Sequence, residues 1–102
     1  MAPPELEGVL LSHPEIVDCG VVGVKFGRDE SEFPRAYIVR KPGTGDSLTE
    51  EDVKKYLAER LIYYKRLDGG VVFVDAIPKT PSGKILKRML REQAAKEIGA
   101  KL

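Results

Sequence analysis

Two prolines and a glycine, Pro78, Pro81 and Gly83, put a firm break near the end of this 102-residue chain. Proline fixes φ and removes a backbone donor, so Pro78-Lys79-Thr80-Pro81-Ser82-Gly83-Lys84-Ile85-Leu86-Lys87-Arg88 is expected to begin as an extended or turning loop. Gly83 lets that loop bend or approach a ligand closely. Lys84 falls where a helical pattern starts. Ile85, Leu86, Met89, Leu90, Ala94 and Ile98 recur at helical spacing, with Lys87, Arg88, Arg91, Lys96 and Glu97 mostly outward. A lysine on so stiff a loop is presented in few directions, which suits delivery of one positive charge to a bound anion. A plain loop with a solvated lysine is the competing reading. The macrodipole disfavours a cation near a helix N-terminus, which counts against an idle lysine there. A phosphate loop of the G-x-x-x-x-G-K-S/T type fails, because Pro78 stands where its first glycine should be and Ile85 where its hydroxyl should be.

Upstream, the chain divides into short elements. Pro3 and Pro4 can open a helix whose inner face carries Leu6, Val9, Leu10 and His13, with Glu5 and Glu7 in its first turn. Pro14 marks His13 as its end. From Ile16 to Phe26 the β-branched residues predict a strand, bent or bulged around Gly20 or Gly23. The charged run from Gly27 to Glu32 connects it to a returning strand, Ala36-Tyr37-Ile38-Val39-Arg40, as an antiparallel pair. After a turn cluster from Lys41 to Asp46, Thr49 and Asp52 form a capping-box pattern, and Leu48 with Val53 a hydrophobic staple. The helix that follows buries Val53, Tyr56, Leu57, Leu61 and Tyr64. Val71-Val72-Phe73-Val74 is a continuous apolar run of strand length, read as central in the sheet. The order helix, two strands, helix, strand, helix predicts an α+β domain: a small, mainly antiparallel three-stranded sheet packed with about three helices.

Composition narrows the function classes. A net charge of +1 gives no general case for nucleic acid as a partner. Glu92 and Glu97 interrupt the basic face of the last helix, and no aromatic platform accompanies it. The single cysteine, Cys19, rules out an internal disulfide and a cysteine-rich metal site, and reads as a small core residue. No metal site is expected, and His13 lacks a partner for one. No apolar run approaches a membrane span. Tyr63-Tyr64-Lys65-Arg66 combines aromatic and basic side chains, either as a helix end or as a contact for a nucleotide or another domain.

The segment Pro78-Lys79-Thr80-Pro81-Ser82-Gly83-Lys84-Ile85 resembles the last motif of the adenylate-forming enzymes, which include acyl-CoA synthetases, 4-coumarate-CoA-type ligases, firefly-luciferase-like proteins and peptide-synthetase adenylation domains. Ala2-Pro3-Pro4-Glu5-Leu6-Glu7 resembles the end of their hinge-region motif. Tyr64-Lys65-Arg66 and Val72-Phe73-Val74-Asp75-Ala76-Ile77 resemble the segment before the lysine loop. Ser31 departs from the glycine usual in the charged loop, although Glu32 and Pro34 remain.

The resemblance covers essentially the whole chain and implies that residues 1–102 are a mobile C-terminal lid domain. A large N-terminal adenylation domain would lie upstream and hold ATP, Mg²⁺ and the acid. Lys84 is implied as the lysine of acyl-adenylate formation, with Ser82 and Gly83 as loop contacts around it. Tyr64, Lys65 and Arg66 are implied as contacts to CoA or to the other domain. The final Ala100-Lys101-Leu102 is close to the Ser-Lys-Leu peroxisomal address, so a peroxisomal location is expected, and otherwise a cytoplasmic one. Related alternatives are the lid of a peptide synthetase or of a luciferase-like enzyme. Unrelated ones are a stand-alone nucleotide- or RNA-binding module and a protein-interaction domain.

Overall fold

A computed structural model describes residues 3–25, 32–43, 47–60, 67 and 69–99. Helix α1 (Pro3–Leu11) leads into strand β1 (Ile16–Val24), which pairs antiparallel with β2 (Phe33–Arg40). Helix α2 (Glu50–Arg60) then carries the chain to β3 (Gly70–Phe73), which pairs parallel with β2. Helix α3 (Lys87–Gly99) closes the series. The sheet order is β1-β2-β3, so the sheet is mixed, with its longer ladder antiparallel.

The apolar run at β3 therefore lies at an edge, not at the centre as its composition suggests; β2 is central. Alternate residues explain the run. Val71 and Phe73 pack with the α1/α2 side of the core, while Val72 and Val74 pack with the α3 side. A strand covered on both faces reads as continuously apolar wherever it lies in the sheet.

Helices cover both faces of the sheet. Leu6 and Leu10 of α1 and Val53 and Leu57 of α2 bury against Ile16, Cys19, Val21, Ala36 and Ile38. Leu90, Ala94 and Ile98 of α3 bury against Val22, Val24 and Tyr37. Ile16 shares a face with Cys19 and Val21 although the intervals differ in parity. The register shift between Ile16 and Asp18 supplies the extra residue. The bulge thus lies before Asp18 rather than at Gly20 or Gly23, both of which continue the ladder.

The sequence signals at α2 hold. Thr49 N–H donates to Asp52 Oδ2 at 3.0 Å and Asp52 N–H to Thr49 Oγ1 at 3.2 Å, the reciprocal pair of a capping box. Leu48 and Val53 are both buried in one cluster, and Tyr56 is half-buried against the His13 ring, 4.5 Å between centroids. Leu61 and Tyr64 lie outside the described residues.

Three side chains of α3 depart from the helical period. Met89, expected inward, is 48% exposed, because Leu90, Ala94 and Ile98 form a narrower stripe. Glu97, expected outward, accepts from Arg35 Nη1 at 2.9 Å and Tyr37 Oη at 2.8 Å, and its other oxygen takes Gln93 Nε2 at 3.1 Å. Lys87, also expected outward, turns back to the edge of β1. Side chains on a helix tilt toward its N-terminus, so a long residue at the first position reaches behind the helix.

Candidate functional site

Of the extended or turning loop expected between β3 and α3, the turning form is found: the segment folds as a short hairpin. Lys79 and Ile85 form an antiparallel bridge, and Leu86 N–H donates to the Pro78 carbonyl at 2.9 Å. Thr80 N–H donates to the Lys84 carbonyl at 2.8 Å, and Gly83 N–H to the Thr80 carbonyl at 2.9 Å. Pro81 sits where a fixed φ favours the turn, and Gly83 closes it at φ +91°. This matches the three-residue hairpin loop that ends on a left-handed residue.

Side chains tighten the same turn. Thr80 Oγ1 accepts from Lys84 N–H at 3.1 Å and shares a 2.9 Å hydrogen bond with Ser82 Oγ. The hairpin base is held by Ile77, buried in the α3-side core, and by Ile85, half-buried beside it. Pro81, Ser82, Gly83 and Lys84 stand exposed at the tip. Helix α3 starts only at Lys87, so Lys84 lies outside its first turn and the dipole acts on Lys87 instead.

The lysines of the hairpin and its exit meet different fates. Lys79 Nζ lies 2.6 Å from Asp18 Oδ2 on β1. Lys87 Nζ is paired with Glu7 of α1 and donates to the Val21 carbonyl at 2.6 Å. Lys84 has no carboxylate within ion-pair distance among the described residues, and its side chain is exposed. An ammonium so placed is available to an anion brought from outside.

Glu7 carries more than the first-turn role its position implies. Its Oε2 accepts from Val21 N–H at 2.7 Å, and it is only 9% exposed. Cys19 beside it is fully buried; burial first, then the Glu7 and Asp18 carboxylates, push its thiol up to about 12. That is an inert thiol in a core, as its apolar run implies. Tyr37 is likewise pushed up to about 12, chiefly by burial.

Tyr64, Lys65 and Arg66 lie outside the described residues, as do Ala100, Lys101 and Leu102. Among the described residues no group of three or more His, Cys, Asp or Glu side chains could hold a metal, and no helix is long and apolar enough to cross a membrane. The sequence reading missed Glu7, Asp18, Lys79 and Lys87 as partners. No local signal marked them: the helical pattern of the sequence begins at Lys84, and only the structure shows that Lys87 opens α3, where a cation is unfavourable without an acid brought from elsewhere.

Residues 5–84 match the sequence model of the family described as AMP-binding enzyme C-terminal domain. The chain is 54% identical over 98 residues to phenylacetyl-CoA ligase epaB of Aspergillus niger, covering 96% of this chain and 18% of that protein. It is 46% identical over 99 residues to 4-coumarate-CoA ligase 1 of Narcissus pseudonarcissus, covering 95% and 17% respectively. Among solved structures, ATP-bound MatB from Rhodopseudomonas palustris superposes with a TM-score of 0.81 at 30% identity, over 96% of this chain and 19% of that one. The chain therefore spans under a fifth of the length of these curated relatives.

Proposed function

The chain belongs to the AMP-binding enzyme C-terminal domain family, and on that premise we propose that it is the mobile lid of an ATP-dependent, AMP-forming carboxylate–CoA ligase, with Lys84 as its catalytic lysine. In the first half-reaction a carboxylate oxygen attacks the α-phosphorus of ATP, and pyrophosphate leaves to give the acyl-adenylate. In the second, the CoA thiol attacks the acyl carbon; AMP departs as the thioester forms and the thiol proton is released. ATP, with Mg²⁺, and the acid are held mainly by a large N-terminal domain of the same polypeptide. That domain and CoA are this chain's partners.

The observation that carries the reading is the exposed ammonium of Lys84, without an ion-pair partner among the described residues, on a closed hairpin whose neighbouring lysines are both committed. Negative charge concentrates around the α-phosphate and the attacking oxygen in the first transition state. A cation fixed beforehand stabilises that charge without reorganising when the reaction occurs. Docking in one orientation inserts Lys84 for adenylation, and a second orientation withdraws it for thioester formation, as domain closures do in other enzymes. The names of the relatives support an acid that carries an aryl group on a short chain, such as an arylacetate or arylpropenoate, as substrate. A peroxisomal location rests on Ala100-Lys101-Leu102, and a fluorescent reporter ending in those residues tests it.

Lys84→Ala in the full-length ligase is the test. Adenylation, followed by ATP–pyrophosphate exchange, is expected to fall about 10²–10³-fold, the usual loss of one preorganised charge partner. Thioester formation from supplied acyl-adenylate is expected to persist. Equal losses in both assays would refute the role given to Lys84.

A further inference from the structure

We propose that Glu7 is a positioning residue for Lys84, acting through Lys87 to fix the hairpin that presents it; this rests on the catalytic reading of Lys84 above. Strand β1 is an edge strand, and edge backbone groups need partners. Val21 finds both of its partners in one ion pair: its N–H donates to Glu7 Oε2 at 2.7 Å, and its carbonyl accepts from Lys87 Nζ at 2.6 Å. The Glu7–Lys87 pair thus takes the place that a neighbouring strand would occupy.

The same pair fastens the hairpin. Lys87 follows Lys84 by three residues, and Lys79 precedes it by five. Lys79 is tied to Asp18, whose Oδ1 also accepts from Cys19 N–H at 2.9 Å, two residues along the edge from Val21. Both flanks of the hairpin are therefore bound to one strand edge, each by a carboxylate that also satisfies a backbone amide there. The Lys87 tie is the less exposed: its side chains are 27% and 12% accessible, against 36% and 25% for Lys79 and Asp18. Removing one partner from a pair so shielded leaves the other charge uncompensated, so the two hold each other firmly. Glu7 also offsets the unfavourable placing of Lys87 at the start of α3. Neutralising the flanking lysines leaves Lys84 as the cation the hairpin tip offers.

The test uses the full-length ligase with Glu7→Gln, Lys87→Met and Lys87→Arg, each also combined with Lys84→Ala. Glu7→Gln keeps an acceptor for Val21 and loses only the charge. It is expected to lower kcat for adenylation about tenfold while KM for ATP stays within about twofold, because a displaced group loses rate more than ground-state binding. Thioester formation from supplied acyl-adenylate should be unaffected. Lys87→Met should behave like Glu7→Gln, and Lys87→Arg should restore most of the rate. In the Lys84→Ala background, Glu7→Gln should have no further effect on adenylation. Additive losses there, or equal losses in both half-reactions, would overturn the positioning role.

Amide exchange in the 102-residue chain separates this claim from the catalytic one. Glu7→Gln should speed exchange at Gly83 and Leu86 about tenfold or more and leave Val53 in α2 unchanged. Unchanged exchange at the hairpin would sink the clamp whatever the activity. If Lys84→Ala left adenylation intact, the catalytic reading would fall while the exchange result stood. Should Glu7→Gln not fold, Lys87→Met carries the same measurements.

Discussion

Replacing Gly83 isolates one physical quantity, the cost of a left-handed backbone. Its φ is +91°, and a Cβ added there would meet nothing within 4 Å. Any penalty is therefore conformational rather than steric against the rest of the fold. For an L-residue held in that region the cost is roughly 1–2 kcal/mol. In a domain of this size such a loss lowers Tm by roughly 5–15 °C. Asparagine visits the region more readily than alanine, and valine less, because a branched Cβ crowds the carbonyl further. The series Gly83→Asn, Gly83→Ala and Gly83→Val should thus destabilise in that rising order. Urea melts of the three variants provide ΔG, and amide exchange at Gly83 and Lys84 reports on the two hydrogen bonds that Thr80 accepts in the turn. If valine cost no more than alanine, or asparagine as much as either, the positive φ would not be the source of the penalty. In the full-length ligase the same order should appear in adenylation rate, since the strain falls on the residue before Lys84.

Gly69 offers the opposite case: a Cβ there would lie 2.8 Å from the Phe33 and Pro34 carbonyl oxygens and from Val24 Cγ2. Gly69→Ala should cost about 2–3 kcal/mol in a urea melt, because the obstruction is central-strand backbone that cannot step aside, and asparagine should give no relief. Thr49→Ala should cost about 1 kcal/mol by loss of the α2 cap. The backbone and hydroxyl hydrogen bonds of Thr49 hold the Asp52 carboxyl below its usual range, so that contribution is complete above the unfolded carboxyl pKa. It is lost as pH falls through the lowered folded value, and acid melts should find Thr49→Ala less acid-sensitive than the parent. Cys19 should resist a thiol-specific reagent at pH 8 until the chain unfolds, since its thiol is raised to about 12 and buried. Unfolded chains ionise Cys19 and Tyr37 at lower pH than folded ones, so stability should decline between about pH 9 and 12, and less steeply in Cys19→Ala.

Local chemistry made much of this fold legible. The β-branched runs, the capping box at Thr49 and the apolar periods of α1 and α2 each reflect interactions within a few residues; each forms, with α1 ending at Leu11, two residues before the His13 expected, and the α2 stripe seen at Val53 and Leu57. The same holds for the break at Pro78, Pro81 and Gly83, although its closing into a hairpin depended on hydrogen bonds between Thr80 and Lys84 that no single residue announces. Properties set by partners distant in the chain were not legible. The bulge lies between Ile16 and Asp18 because β2 fixes the register there, and the glycines that suggested it stay in the ladder. The place of β3 at the edge follows from strand order, to which its apolar run is indifferent. Lys87 and Glu97 fall on the polar side of a helical wheel, yet their lengths let Lys87 reach the Val21 carbonyl and Glu97 the Arg35 guanidinium and Tyr37 hydroxyl on the sheet.

The last of these carries the widest consequence. Glu7 and Lys87 are separated by 80 residues, so their pair joins the first helix to the last across most of the chain. A hairpin anchored by neighbours in sequence could keep its shape while the domain loosened around it. This one cannot, because its exit is held by a residue of α1 and its entry by a residue of β1. The direction in which Lys84 is offered is thus a property of the assembled domain. Under the function proposed above, the domain has to move as a unit to bring one charge to a reacting phosphate and withdraw it, and these two ties make the lysine part of that unit rather than a loop riding on it.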